Sequence, residues 1–256
     1  MAKTTYSTDE REGAAFHDAI RGIDYVYRAA WAEHPIGWME SNLLHVKGPD
    51  AGKPIRFQKW QAGFLSALYG WRVRGREEAG RYRRAYLEVA RGNGKSTLAA
   101  AIGLYGVTGR GAPLVIGAAT DREQANIVFG DAAKMVRANP KLLERLRIVD
   151  STKRIIRKDA LAGRYLVISS EAHRAHGYHP DVVIFDELHA QPNRELWDVL
   201  TTSQINLPNA IMLAITTAGF DRQSVCWQVH ERALRACDDP AMAPDLLAAV
   251  FAAEDG

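Results

Sequence analysis

Four stretches of this chain are apolar almost without a break: the run ending at Ala90, then residues 113–119, 182–185 and 210–215. Each is short and bounded by turn-forming residues, as expected of a strand buried on both faces. Between them apolar residues recur at helical spacing. The first such segment is 98–104. The second holds Ala125, Val128, Phe129, Ala132, Met135 and Val136, opened by the capping-box spacing of Thr120 and Glu123 and closed by Pro140. The third and fourth are 194–200 and 224–237. Strands alternating with helices predict an α/β fold: a mostly parallel sheet flanked by helices, with its site at the carboxyl ends of the strands.

The flanks read differently. Ala15, Ala19, Ile20, Ile23, Val26, Tyr27 and Ala30 predict an amphipathic helix over 9–31, packed down by Trp31 and Trp38. Pro35, Gly37, Gly48, Pro49, Gly52 and Pro54 predict loop after it. Phe64, Leu65, Ala67 and Leu68 mark a helix ending near Gly70. Six arginines fall between positions 72 and 84; they read as a solvated, flexible connector in preference to a phosphate-backbone contact. Residues 147–170 alternate charged and β-branched groups, which predicts two or three strands, some at an edge. The domain expectation is a helical extension over 1–55, a catalytic domain over 56–240 and the start of a linker over 241–256.

Chemistry enters where the apolar runs stop. The first run ends in a glycine-punctuated turn closing with Gly94, Lys95, Ser96 and Thr97. Unpaired amides and the positive end of a helix dipole face any phosphate placed there, Lys95 adds a point charge, and Ser96 offers a hydroxyl to Mg²⁺. The usual phosphate-loop pattern wants glycine at position 89, where this chain has Val89. The third run leads straight into Asp186 and Glu187, one carboxylate for a Mg²⁺ shell and one to orient attacking water. The fourth ends at Thr216 and Thr217, hydroxyls suited to sensing a γ-phosphate. Three strand ends in this order point to a nucleoside-triphosphate hydrolase.

Composition changes this picture little. The net charge of +3 does not by itself argue for nucleic acid. Two cysteines make no disulfide framework, no run reaches the roughly 18 apolar residues of a membrane span, and the polar start is no signal peptide. His173, His176, His179 and His189 lack zinc-finger spacing and a cysteine partner, so a transition-metal site is disfavoured.

The chain resembles the large terminase subunit of tailed bacteriophages, the ATPase motor that packages DNA. The matching stretches are Trp60-Gln61 with Phe64, Leu65 and Gly70-Trp71; residues 88–97; Ala118, Ala119 and Thr120 with Glu123, Gln124 and Ala125; residues 179–190; and residues 215–219. The resemblance implies a P-loop NTPase fold of the ASCE/RecA-like kind, with a small N-terminal helical extension. It also implies a deviant phosphate loop with an arginine before the glycines, matched by Arg91 ahead of Gly92, Asn93 and Gly94. Carried over, Gln61 recognises adenine, with Trp60 or Phe57 as a stacking surface. Lys95 and the loop amides through Thr97 hold phosphate, and Ser96 and Asp186 hold Mg²⁺. Glu187 is the catalytic carboxylate, and Thr216, Thr217 and Ala218 form the coupling motif. Arg174 is the candidate finger supplied in trans by a neighbouring subunit, with Arg122 or Arg194 as substitutes.

The implied cofactors are ATP and Mg²⁺. The implied partners are double-stranded DNA, the portal protein, the small terminase subunit and further copies in a ring, expected to be a pentamer, on the portal in the host cytoplasm. A helicase-like translocase is the enzymatic alternative, but it needs a second domain of this type, for which the chain after position 219 is short. A docking module that binds nucleotide without hydrolysis is the other, and Glu187 weighs against it. No nuclease activity is expected, since no strands or carboxylate cluster that could build one follow the motor segment.

Overall fold

The computed structural model describes residues 2–6, 10–109, 113–118, 120, 125–169, 177–217 and 221–251. Along the chain run β1 (Ala2–Thr4), β2 (Ala15–Asp18), β3 (Ile23–Tyr27), α1 (Ala29–Asn42), α2 (Lys59–Gly70), β4 (Trp71–Val73), β5 (Arg76–Gly80) and β6 (Arg84–Val89). Next come α3 (Lys95–Val107), β7 (Leu114–Ala118), α4 (Ala125–Ala138), α5 (Pro140–Arg145), β8 (Leu146–Val149), β9 (Arg154–Arg157) and β10 (Arg164–Ile168). The last are β11 (Val182–Asp186), α6 (Glu195–Ser203), β12 (Ile211–Thr216), α7 (Val225–Asp238) and β13 (Leu246–Phe251).

Nine strands form one sheet in the order β1-β13-β6-β12-β11-β7-β10-β9-β8. From β13 to β10 every pairing is parallel, and the edges at β1, β9 and β8 are antiparallel. Strand periodicity divides the core in two. Ala85, Leu87, Val115, Ile184, Leu213 and Ile215 point towards α2, α3 and α4. Tyr86, Ile116, Val183, Phe185, Met212 and Ala214 point towards α6 and α7. This is why the central strands read as continuous apolar runs. Strand β12 lies between β6 and β11, so the end bearing Thr216 sits between the phosphate-loop candidate and the acid pair.

The N-terminal expectation is overturned. The helix expected over 9–31 is a pair of strands, and the helix that does form, α1, takes up Pro35 and Gly37 of the expected loop. Gly13 and Gly22 take positive φ, and the Asp18 carboxylate accepts from the Ile20 and Arg21 amides in the turn that joins β2 to β3. In α1, Ala32, Pro35 and Met39 are buried on one face, and that packing outweighs the roughly 3 kcal/mol cost of a proline inside a helix. The boundary at 55/56 also fails, because β2 and β3 continue into β4 and β5 as a second, four-stranded antiparallel sheet. Nor does the 241–256 segment begin as a linker: β13 is buried in the main sheet beside β6.

The arginine run is no connector. Arg72 and Arg81 are buried, over the rings of Trp31 and Phe16 at 4.1 and 3.6 Å. Arg72 donates to the Glu77 and Glu78 carbonyls and to Asn209 Oδ1, and Arg81 to the Pro244 carbonyl. Aromatic faces cover the guanidiniums while carbonyls take their donors, which is how so much charge enters a core.

Beside them sits Glu10, taking 2.6 Å from Trp71 Nε1–H and 3.4 Å from the Ser66 hydroxyl. Burial pushes its carboxyl up to about 7, and Trp71, Ser66 and Arg81 offset only part of that. A raised folded-state pKa means the folded protein holds the proton longer than the unfolded chain. The contribution is therefore complete below about pH 4.5 and lost as pH rises through 7, worth about 3 kcal/mol. Glu10→Gln should flatten the fall in urea midpoint between pH 4.5 and 7.5; an unaltered fall counts against this assignment.

Candidate active site

At the carboxyl end of β6, residues 90–94 turn into α3 with Gly92 and Gly94 at φ of +86° and +75°. Those values need glycine, and at position 94 a Cβ would also come within 3.2 Å of Gln61 Nε2. Gln61 is held in turn by a capping box with Gln58, whose amide donates to its Oε1 at 3.0 Å. The loop, the start of α3, and residues from 45–61 line a cleft of about 710 Å³. Arg91, Gly92, Asn93, Gly94, Lys95, Ser96 and Thr97 all face it, as do Gln61, Phe57 and Glu187.

Across this cleft the Lys95 ammonium lies 2.6 Å from Glu187 Oε1. The contact is ionic rather than a well-aligned hydrogen bond. Glu187 directly follows β11 and takes φ 53° and ψ 59°, a left-handed conformation costing a non-glycine residue about 1–2 kcal/mol. Its second oxygen accepts from the Thr217 amide at 3.2 Å and the Thr217 hydroxyl at 3.3 Å. Burial disfavours the charged form, but Lys95, the Thr217 amide and His189 outweigh it, holding the carboxyl below its ordinary value. Asp186 behaves oppositely. Burial and the adjacent Glu187 push it up to about 6 despite Lys95 and Lys47, and its Oδ1 is buried without a hydrogen-bond partner.

Behind the cleft Thr216, fully buried, donates to the Thr217 carbonyl at 2.8 Å. Its oxygen therefore accepts from His189 Nδ1–H at 2.8 Å, and the same nitrogen lies 3.2 Å from Glu187 Oε2. Beyond membership of the matched stretch 179–190 and a disfavoured metal-ligand role, the sequence assigns nothing to His189; its place between the acid pair and the threonines depends on the left-handed turn at Glu187, which spacing does not reveal. Lys47, His45 and Arg56 on the cleft wall were also missed. They lie in a glycine- and proline-broken segment that carries no periodic signal. Lys47 is half exposed and paired to Asp131 at 2.5 Å.

Some expected residues fall elsewhere. Trp60 does not line the cleft: its ring sits 5.0 Å from Phe251 and its carbonyl accepts from the Tyr6 hydroxyl. That leaves Phe57 as the aromatic surface there. Arg194 is bound to Asp198 on its own helix and to Gln228, and His179 contacts the Ser203 carbonyl. Arg174, Arg122, Ala218, His173 and His176 lie outside the described residues.

Residues 59–235 match the family model described as the ATPase domain of the terminase large subunit. The large terminase subunit of Enterobacteria phage HK97 is 33% identical over 190 residues, covering 72% of this chain and 36% of that protein. The crystal structure of the HK97 large terminase superposes with a TM-score of 0.72 at 27% identity, over 88% of this chain and 45% of that one. The large terminase ATPase domain of Thermus phage P74-26 shares the fold, with a TM-score of 0.50 at 18% identity over 59% of this chain and 64% of that one. The chain thus spans less than half the length of the HK97 relatives. With the phosphate loop, acid pair and threonine pair meeting at one end of a parallel sheet, this chain belongs to the family of terminase large subunit ATPase domains.

Proposed function

We propose that this chain is the motor of a viral DNA-packaging machine, hydrolysing ATP with Mg²⁺ to drive double-stranded DNA into a procapsid. The observation that carries this reading is the Lys95–Glu187 contact at the mouth of the cleft. It sets the phosphate-loop cation against the carboxylate that would take a proton from water, and Glu187 is held ionised for that task. Entering triphosphate competes for Lys95 and frees Glu187. Gln61 and Phe57 face the region where adenine would lie, and Arg91 stands exposed at the cleft for the phosphates.

The unpartnered, buried Asp186 Oδ1 and the Ser96 hydroxyl suit a hard divalent cation, which when bound would neutralise phosphate charge. Thr217 and His189 tie Glu187 to the end of β12, so a change in its pairing reaches the sheet and gives the threonines a coupling role. The proposed setting is the host cytoplasm, in a ring of copies on the portal, with the small terminase subunit as a further partner and Arg174 completing the neighbour's site.

A steady-state ATPase assay tests this. Turnover should need Mg²⁺ and rise steeply with protein concentration. Mixing Lys95→Ala with Arg174→Ala subunits should recover activity that neither variant has alone, since one supplies the lysine and the other the arginine. Turnover that persists in EDTA counts against the cation, and a mixture as inactive as its components sinks the trans assignment.

A further inference from the structure

The arginines between positions 72 and 84 have no part in the ATP chemistry, and the fold sorts them into two kinds. Arg72 and Arg81 are buried, and Arg83 donates to the carbonyls of Gln204, Ile205 and Leu207. Arg74, Arg76 and Arg84 are different. Arg74 and Gly75 form the two-residue loop between β4 and β5; Arg74 and Arg76 are exposed, with no side-chain partner among the described residues. Arg76 and Arg84 line an open groove of about 510 Å³ at the amino ends of β6, β12 and β13, opposite the nucleotide cleft.

Charge is unbalanced there. Arg84, Arg21 and Arg232 converge on one carboxylate, Asp245, at 3.5, 3.3 and 3.0 Å. Asp245 is 4% exposed and is the one acidic residue lining the groove among the described residues. With Asp18, which lies 3.8 Å from Arg21, it leaves three guanidiniums against two carboxylates, and Arg76 adds a further cation to the groove; like charges gathered in this way repel one another unless a further anion joins them.

We propose that this groove, with the Arg74–Arg76 hairpin tip as its rim, grips the phosphate backbone of duplex DNA; the assignment rests on the DNA-translocating reading above. Guanidinium forks match phosphate oxygens. The cations are carried by separate elements, from the Asp245 cluster to the hairpin between β4 and β5, in the manner a polyanion requires. Strand β6 carries Arg84 at one end and runs into the phosphate loop at the other, giving the grip a stiff link to hydrolysis.

The test is fluorescence anisotropy of a short labelled duplex across a salt series. It compares the wild-type chain, Arg74→Ala/Arg76→Ala, and Arg147→Ala on the far edge strand β8. The double variant should keep its thermal midpoint, bind about tenfold more weakly, and lose about 2 from the slope of log affinity against log salt, while Arg147→Ala matches wild type. An unchanged slope in the double variant overturns the proposal. So does displacement of the duplex by millimolar inorganic phosphate, which would reduce the groove to a single-anion site, or tighter binding of polyglutamate, which would assign it to an acidic protein segment. A wild-type chain that turns over ATP but binds no duplex at low salt overturns the groove and leaves the ATPase reading standing.

Discussion

Glu187→Gln should lower kcat for ATP by about 10²–10⁴-fold while changing ATP affinity only a few-fold. Glutamine keeps the size of the side chain and can still accept from Thr217, so the left-handed turn and the end of β12 should persist. What it loses is the negative charge next to Lys95 and the capacity to take a proton. In the absence of nucleotide that charge competes with phosphate for the ammonium 2.6 Å away. Removing it should therefore leave binding intact or slightly tighter even as turnover collapses. Equilibrium titration with a fluorescent ATP analogue, paired with single-turnover hydrolysis, separates the two effects. A kcat within tenfold of wild type would mean that another group activates the water, and His189, on the cleft wall and in contact with Glu187, is where to look next.

The sheet was legible in the sequence wherever burial is two-sided. Runs such as 182–185 and 210–215 have no polar face, so length and bounding turns suffice to mark them as strands. The candidate site at their ends was legible because its residues are local: Lys95 follows a strand's turn, Asp186 and Thr216 close strands, and Glu187 comes directly after one.

What escaped is what depends on distant partners. Residues 15–27 carry apolar groups compatible with either period, and only pairing with β4, more than 40 residues on, makes them strands. Arg72 and Arg81 look like surface charge until Trp31 and Phe16 are seen to cover them. Trp60 and Phe57 are equivalent as aromatic neighbours of Gln61, and the choice between them is made by Phe251, almost 200 residues away. The same long-range logic brings Lys47 to Asp131 and to the cleft wall.

Lys95→Ala should abolish turnover and weaken ATP binding by about 10²-fold, because a charge-assisted contact to phosphate in a sheltered cleft is worth about 1.5–3 kcal/mol. It should also destabilise the nucleotide-free protein, and that second effect tests the site without any ligand. Lys95 is buried, and its removal leaves two adjacent carboxylates, Asp186 and Glu187, without their shared cation, while Lys47 beside Asp186 and His189 beside Glu187 offset them only in part. The loss should be about 1–3 kcal/mol in urea unfolding, reduced from the usual value for a broken buried pair because Glu187 is partly exposed. Glu187→Gln alone should cost less, since Lys95 then still neutralises Asp186. The double variant Lys95→Ala/Glu187→Gln should regain much of what Lys95→Ala loses, because the unpaired charge that made the single change expensive is gone. A coupling of at least about 1 kcal/mol is expected from the cycle. Strict additivity would mean that the two side chains do not share an ion pair in solution, and that the field set up for a triphosphate between them is absent before nucleotide arrives.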